Sequence, residues 1–483
     1  MPPIVATIVF SIGILCLFWF TRDRNYAGSK ALILPAISLF LMSSRSVTEW
    51  VAILTTGRPA VGVMSQAEVY AEGSPLDRAV MMVLILLALT VLVHRGKLVP
   101  LVRANLPIVL FFLYAGMSVL WSDFPDITFR RWSRAVGLLL IVCVILSERN
   151  RDAAMKRVFA WVGFITIPVS MLWMKYYPEL GRMMKRITGM NWQPQLVGIT
   201  SQKNELGAIC LVFGIVFLSY FLIAYRDRER PQRKSMLRAY GVALAVLAWV
   251  FWKTNSVTTL TSFVLAGFIL VAARSRAVIR RPGMVHLMML ALVGGPVLVL
   301  FLGVGSGLIE NLGRDATLSG RTGIWEKVTP LVPNSLLGTG FESFWLGPRL
   351  EYMQQGLSFP LNEAHNGYLE IFISLGWIGV LLLLVLLITG YRNIIACYRR
   401  DPDAGALRLA LFLSVVVSAC TEATFRASGP GWFCLLAVTL LTPNEAWRSS
   451  TQGVLTADEM EPATSELTNG AAQCFTELTE HRV

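Results

Sequence analysis

Charge and histidine are both scarce in this chain. Asp, Glu, Lys and Arg together make up 15% of its 483 residues, and only four histidines are present. Soluble globular proteins carry about 25% charged residues. In place of charge there are 55% hydrophobic residues and a mean hydropathy of +0.59. Apolar runs close to the roughly 20 residues needed to cross a bilayer recur from end to end. Runs such as "MMVLILLALTVLV" do not alternate polar and apolar residues, which excludes a transmembrane β-barrel. The sequence reads as an all-α polytopic membrane protein.

Other absences narrow the function. The seven cysteines form no disulfide framework and no metal-type spacing with histidine; all but Cys474 lie in or beside apolar segments. There is no P-loop, no glycine-rich dinucleotide turn and no Gly-x-Ser-x-Gly elbow. No acidic pair of divalent-metal character stands in the outer loops, so neither a metal nor a cofactor is expected. Ionisable residues are almost missing from the middles of the apolar runs, which disfavours an ion-coupled transporter. Residues 1–20 have a signal peptide's length without its basic start or cleavage site, so a retained helix is expected.

About thirteen apolar runs are present: 2–20, 31–49, 78–94, 105–121, 133–147, 157–174, 205–225, 237–253, 257–273, 284–304, 366–390, 405–421 and 427–443. Every odd-numbered loop between them is rich in Lys and Arg. The positive-inside rule then places those loops, and the C-terminus, in the cytoplasm. The net charge of +13 follows mainly from this topology. The tail 444–483 is polar and acidic and is expected to be disordered. Two outward loops depart from the pattern. Loop 175–204 carries Lys175, Arg182, Lys185, Arg186 and Lys203 against one Glu179, which suits an external anionic ligand better than a merely solvated loop. Loop 305–365 is far longer than a connection requires.

Of the four histidines only His365 faces outward, in "FPLNEAHNGYLEIF". Imidazole titrates near neutral pH and suits a general base acting on a hydroxyl. Glu363 and Asn366 stand beside it to fix its tautomer; the plainer alternative is a cap on the helix that follows. In "ATLSGRTGIWEKVTPLV", Arg321 falls in the first turn of a short helix. A cation is unfavourable there unless an anion binds; otherwise Arg321 pairs with Glu326. Lys203 and Asn204 mark the outer edge of a span, where a snorkelling lysine is the simpler account. Arg426 and Glu422 in "CTEATFRASGPG" stand at similar depth and read equally well as interfacial charges. Trp192, Trp325, Phe341, Phe344, Trp345, Tyr352 and Tyr368 are all outward. Some belong to an interfacial belt, and those deep in the loop suit the apolar faces of sugars.

In order, "SQKNELG" (201–207), "SVTTLTSF" (256–263), "LSGRTGIWE" (318–326) and "NEAHNGYLEIFISLGWIG" (362–379) resemble the O-antigen ligase-like superfamily of O-antigen ligases and surface polysaccharide polymerases. The likeness covers roughly 195–445; "SLFLMSSRSVTEW" (38–50) adds a likeness to its exopolysaccharide polymerase branch. It implies a metal-independent glycosyltransferase of the all-helical membrane class, with about 12–13 transmembrane helices and one large periplasmic loop. Residues 1–190 would be N-terminal helices and 191–443 the ligase-like domain. The donor would be a glycan on undecaprenyl diphosphate in the bacterial inner membrane, presented at the periplasmic face. The family's histidine falls on His365 and its loop arginine on Arg321. Where many relatives have histidine before the Lys–Asn pair, this chain has Gln202. Lys203 and Arg426 would assist Arg321 at the diphosphate, Glu363, Asn366, Asn204 and Trp325 would support the site, and aromatics of 341–352 would hold the acceptor glycan. A polymerase is favoured over a ligase acting on a lipid A core. A polysaccharide transporter or lipid flippase would instead show internal repeats and broken helices in matching positions, and no repeat is found.

Overall fold

The computed structural model describes residues 1–22, 28–59, 74–188, 191–229, 232–302, 321–355, 361–427, 429–442 and 445. Each expected apolar run holds a helix. In chain order these are α1 (Pro3–Phe20), α2 (Ile33–Met42), α3 (Val47–Thr56), α4 (Pro75–His94), α5 (Leu98–Ala104), α6 (Leu106–Met117), α7 (Pro125–Leu146), α8 (Arg151–Tyr176), α9 (Lys203–Arg226), α10 (Arg233–Thr254), α11 (Val257–Ala272) and α12 (Gly283–Leu302). Two short helices of the long loop follow, α13 (Arg321–Val328) and α14 (Gly347–Gln354). The chain then closes with α15 (Gly367–Arg400), α16 (Pro402–Ser418) and α17 (Pro430–Thr439). The protein is an all-α, multi-pass membrane protein.

By length and apolar character, six of the described helices can cross a membrane, or eight if two bent pairs each count as one span. Several of the expected runs are organised differently from a single straight span. The run 31–49 breaks at Ser43–Ser46 into α2 and α3, which meet at 76°. Ser46 and Glu49 form a reciprocal capping box there, so a new helix starts inside the apolar run. The run 105–121 follows α5 at 94°. The run 133–147 is the inner part of a helix that begins at Pro125, which puts Arg130, Arg131 and Arg134 on α7. Loop 175–204 adds an antiparallel hairpin, β1 (Arg182–Thr188) with β2 (Asn191–Leu196). The start of the long loop (305–320, with Arg314) and nearly all of the tail lie outside the described residues.

The helices sort by what surrounds them. All ten residues of α17 are buried, and α8 and α9 are 72% buried over their most apolar windows. A helix apolar on every side belongs at the centre of such a bundle. By contrast α1 and α4 are only 11% and 17% buried, and Ile4, Ile12, Leu15, Leu86 and Leu87 stand exposed. An apolar surface of that kind suits contact with lipid.

The long loop has a second, smaller core. Val328, Phe344, Trp345, Leu350, Met353, Leu361, Ala364 and Ile373 are buried together. This cluster joins the bundle through a break in α15. Gly376 has φ +63° and ψ −164°, a conformation open essentially to glycine alone. The broken helix leaves backbone groups that must be satisfied, and loop residues 335–340 do it. Trp377 N–H donates to the Ser335 carbonyl (2.9 Å), while Thr339 and Gly340 donate to the carbonyls of Ile373 (3.0 Å) and Ser374 (2.9 Å). The first turns of α15 therefore project from the bundle into the loop, carrying the segment that precedes them.

Candidate functional site

Four segments meet where α15 begins: residues 361–366, the start of α13, the start of α9, and the hairpin 419–429 between α16 and α17. Asn366 caps α15, its Oδ1 accepting from Tyr368 N–H (3.0 Å) and Leu369 N–H (3.1 Å). Gly367 N–H donates to Ala419 O at 2.7 Å, tying α15 to the hairpin. Tyr368 adds a hydrogen bond to Val416 O (3.1 Å) and an edge contact with Phe425. On the hairpin's other side the Glu342 carboxylate accepts from Ala427 N–H at 2.9 Å.

His365 stands at the junction with φ +51°. For a side chain with a Cβ this left-handed conformation costs about 1–2 kcal/mol. Its Nδ1 lies 2.8 Å from Glu363 Oε1 and 3.7 Å from Glu422 Oε2. The nearer contact is ionic, off the hydrogen-bonding direction. Burial disfavours the charged imidazole, but Glu363 and Glu422 outweigh it and lift His365 to about 9. At neutral pH the resting site holds an imidazolium between two carboxylates.

Each carboxylate has its own arginine. Arg321 Nη2 pairs with Glu422 Oε1 at 2.8 Å, and its Nη1 donates to the Thr421 carbonyl. Arg426 Nη1 lies 3.4 Å from both Glu363 Oε2 and Asn362 O. Burial pulls the Arg426 guanidinium down to about 10. Asn204 Nδ2 donates to Glu422 Oε2 at 3.2 Å. Lys203 sits half-buried beside it at the first position of α9. Trp325, one turn along α13 from Arg321, donates its indole N–H to Ala364 O at 2.8 Å.

The structure therefore brings His365, Glu363, Arg321, Arg426 and Asn204 into one network. Arg321 faces Glu422 and not Glu326. The helix cap is Asn366 rather than His365, so Asn366 is committed to backbone N–H groups and does not orient the imidazole. Three of the aromatics expected to hold sugar are committed elsewhere: Phe341, Phe344 and Trp345 are 4%, 0% and 2% exposed. They fill cores, because a loop this long must bury apolar surface of its own. Tyr352 is exposed.

Sequence reasoning read Glu422 as an interfacial charge, yet it touches Arg321, Asn204 and His365 together. The only signal was its place in a short hairpin, expected to face outward, that also held an arginine. Glu363, His365 and Glu422 offer ligand atoms within 4.8 Å of one another, close enough for a cation. Their charge is already met by Arg321 and Arg426, so the cluster is a balanced ion network.

Residues 204–384 match the O-antigen ligase family. Over those residues the chain is similar to that family. It is also 25% identical over 338 residues to the exopolysaccharide production protein ExoQ of Rhizobium meliloti (strain 1021), covering 66% of this chain and 72% of that protein. The ligase-family match begins at Asn204 and contains Arg321, Trp325, Glu363, His365 and Asn366. Glu422 and Arg426 lie beyond it and reach the site only through the packing of α16 and α17.

Proposed function

We propose that this protein is a metal-independent glycosyltransferase of the outer face of the bacterial cytoplasmic membrane, which elongates polysaccharide from undecaprenyl-diphosphate-linked repeat units. One observation carries the reading: His365 is flanked by two carboxylates from separate segments, and each carboxylate is backed by an arginine. An acceptor sugar hydroxyl attacks the anomeric carbon of the donor glycan. The new glycosidic C–O bond forms as the bond to the lipid diphosphate breaks. The hydroxyl proton passes to neutral His365, and the lipid diphosphate leaves as the anion. Arg321, assisted by Lys203 and Arg426, meets the charge that develops on the leaving group through charge-assisted hydrogen bonds. Attack opposite the leaving group inverts the anomeric centre. Asn204 and Trp325 hold Glu422 and the Ala364 peptide in register.

A ligase that moves a finished glycan to a lipid A core would share this donor chemistry. The likeness to an exopolysaccharide production protein favours the polymerase. The test is polymer formation from lipid-linked repeat units by protein reconstituted in liposomes. His365→Ala lowers turnover by about 10²-fold or more, the usual worth of a general base. Arg321→Ala weakens use of the donor far more than use of the acceptor. Undiminished turnover by correctly inserted His365→Ala excludes the base role, and equal small effects on both substrates exclude the diphosphate clamp.

A further inference from the structure

The strained backbone of His365 needs something to hold it, since such conformations persist only where the surroundings over-determine them. The hold is on Ala364. Its N–H donates to the Glu370 carboxylate, and its carbonyl accepts from the Trp325 indole at 2.8 Å. Glu370 lies one turn into α15 and is 6% exposed. Its two oxygens each accept from Trp345 Nε1 at 3.1 Å. Trp345 is itself buried in the loop's small core against Phe344. Ala364 is thus held at both its N–H and its carbonyl, in the two peptide units on either side of it, and the residue after His365 is fixed by the Asn366 cap. The hydrogen bonds of this grip run to the Ala364 backbone and not to the imidazole. A carboxylate this deeply buried is costly unless its hydrogen bonds are made, and a leucine would fill a helix position facing an apolar core more favourably.

We propose that Glu370 is a positioning residue for His365: with Trp345 behind it and Trp325 opposite, it sets the Ala364 peptide so that the imidazole meets Glu363 and Glu422. The proposal rests on the functional reading above only for its consequence in turnover. Among the described residues, the charged groups around the imidazole include Glu363 on its own segment, Glu422 from the hairpin, and Arg321 and Arg426 behind them. Glu370 itself and Glu205 of α9 lie within electrostatic reach of Glu363. If the Ala364 peptide relaxes, the 2.8 Å approach of the imidazole to Glu363 lengthens first, and the ring releases its proton more readily.

The test uses the full chain in nanodiscs with 13C-labelled histidine, the His365 signal being assigned by its loss in His365→Ala. Glu370→Ala lowers the His365 titration midpoint from about 9 by about one unit or more, and lowers kcat about tenfold with little change in KM for the donor. Glu370→Gln keeps an amide oxygen for the Ala364 N–H and titrates close to the wild-type midpoint. Should Glu370→Ala not fold, Trp325→Phe removes the opposite grip and shifts the midpoint in the same direction. An unmoved midpoint in a folded variant overturns the proposal, whatever happens to turnover. Wild-type turnover in His365→Ala would instead remove the catalytic reading and leave the titration result standing.

Discussion

At the scale of single residues, the state of His365 decides how the site responds to pH. Its imidazole is lifted from 6.5 to about 9 against burial, by Glu363 and Glu422. The base form is therefore the minor one at neutral pH, and turnover rises with pH through about 9. Glu363→Gln removes the carboxylate 2.8 Å away; the rise then falls at lower pH, toward the ordinary imidazole value. A pH–rate profile of the two proteins checks this, and coincident profiles contradict it. The folding contribution has the opposite sense. Because the folded value is raised, the stabilisation is complete below about 6.5 and is lost as pH climbs through 9. Thermal melts between pH 6 and 10 should decline more gently in His365→Gln. His365 and Arg321 were legible in the sequence because each breaks a local rule: a lone outward histidine, and a cation at a helix start. Glu422 broke none, and only the arginine in the same short hairpin marked it.

At the scale of elements, two breaks interrupt the apolar runs, and the second gives the site its place. The first separates α2 from α3 and is written into the sequence as Ser46 and Glu49, a capping box inside an apolar run. The second is Gly376 in α15. A Cβ there would run into the carbonyl of Leu336, in a backbone region that side chains rarely adopt. Gly376→Ala should cost about 1–3 kcal/mol and loosen the 335–340 segment from α15. We expect lower yield of inserted protein and faster proteolysis within 330–345, while Gly13→Ala on α1, with open space around it, leaves both unchanged. Helix positions followed from apolar runs because lipid demands internally bonded backbone. The break at Gly376 did not, since a single glycine in an apolar run is compatible with an unbroken helix and only the 335–340 segment makes the broken form stable.

At the scale of the whole molecule, the end opposite the site is locked by a second ion network. Arg408 of α16 is 2% exposed and reaches Asp152 (2.7 Å) and Glu445 (3.1 Å), while Arg151 of α8 meets Glu445 at 3.0 Å. Burial opposes ionisation of Glu445, but Arg151 and Arg408 hold its carboxyl down to about 2. Glu445 opens the segment expected to be disordered, yet it is clamped. This depressed carboxyl stabilises fully above about 4.5 and loses its effect as pH falls toward 2. Arg408→Ala removes one of the two arginines on Glu445 and the partner of Asp152; breaking a buried pair outright costs about 3–5 kcal/mol, less here because Arg151 still meets Glu445 and Asp152 is 41% exposed. The melting temperature should drop by about 3 °C or more, and the loss should shrink below pH 4; an unchanged melt rules out the lock. The amino-acid sequence alone determined the lipid solvent and the helical class and singled out one informative histidine, because apolar length acts locally and adds along the chain. The tertiary structure alone decided the partners: which carboxylate meets which arginine, and that Asn366 caps a helix while Glu370 grips a peptide. Those outcomes depend on charges far apart in sequence being buried together, where each must find a counter-charge or hydrogen bond, and no local pattern records which one it finds.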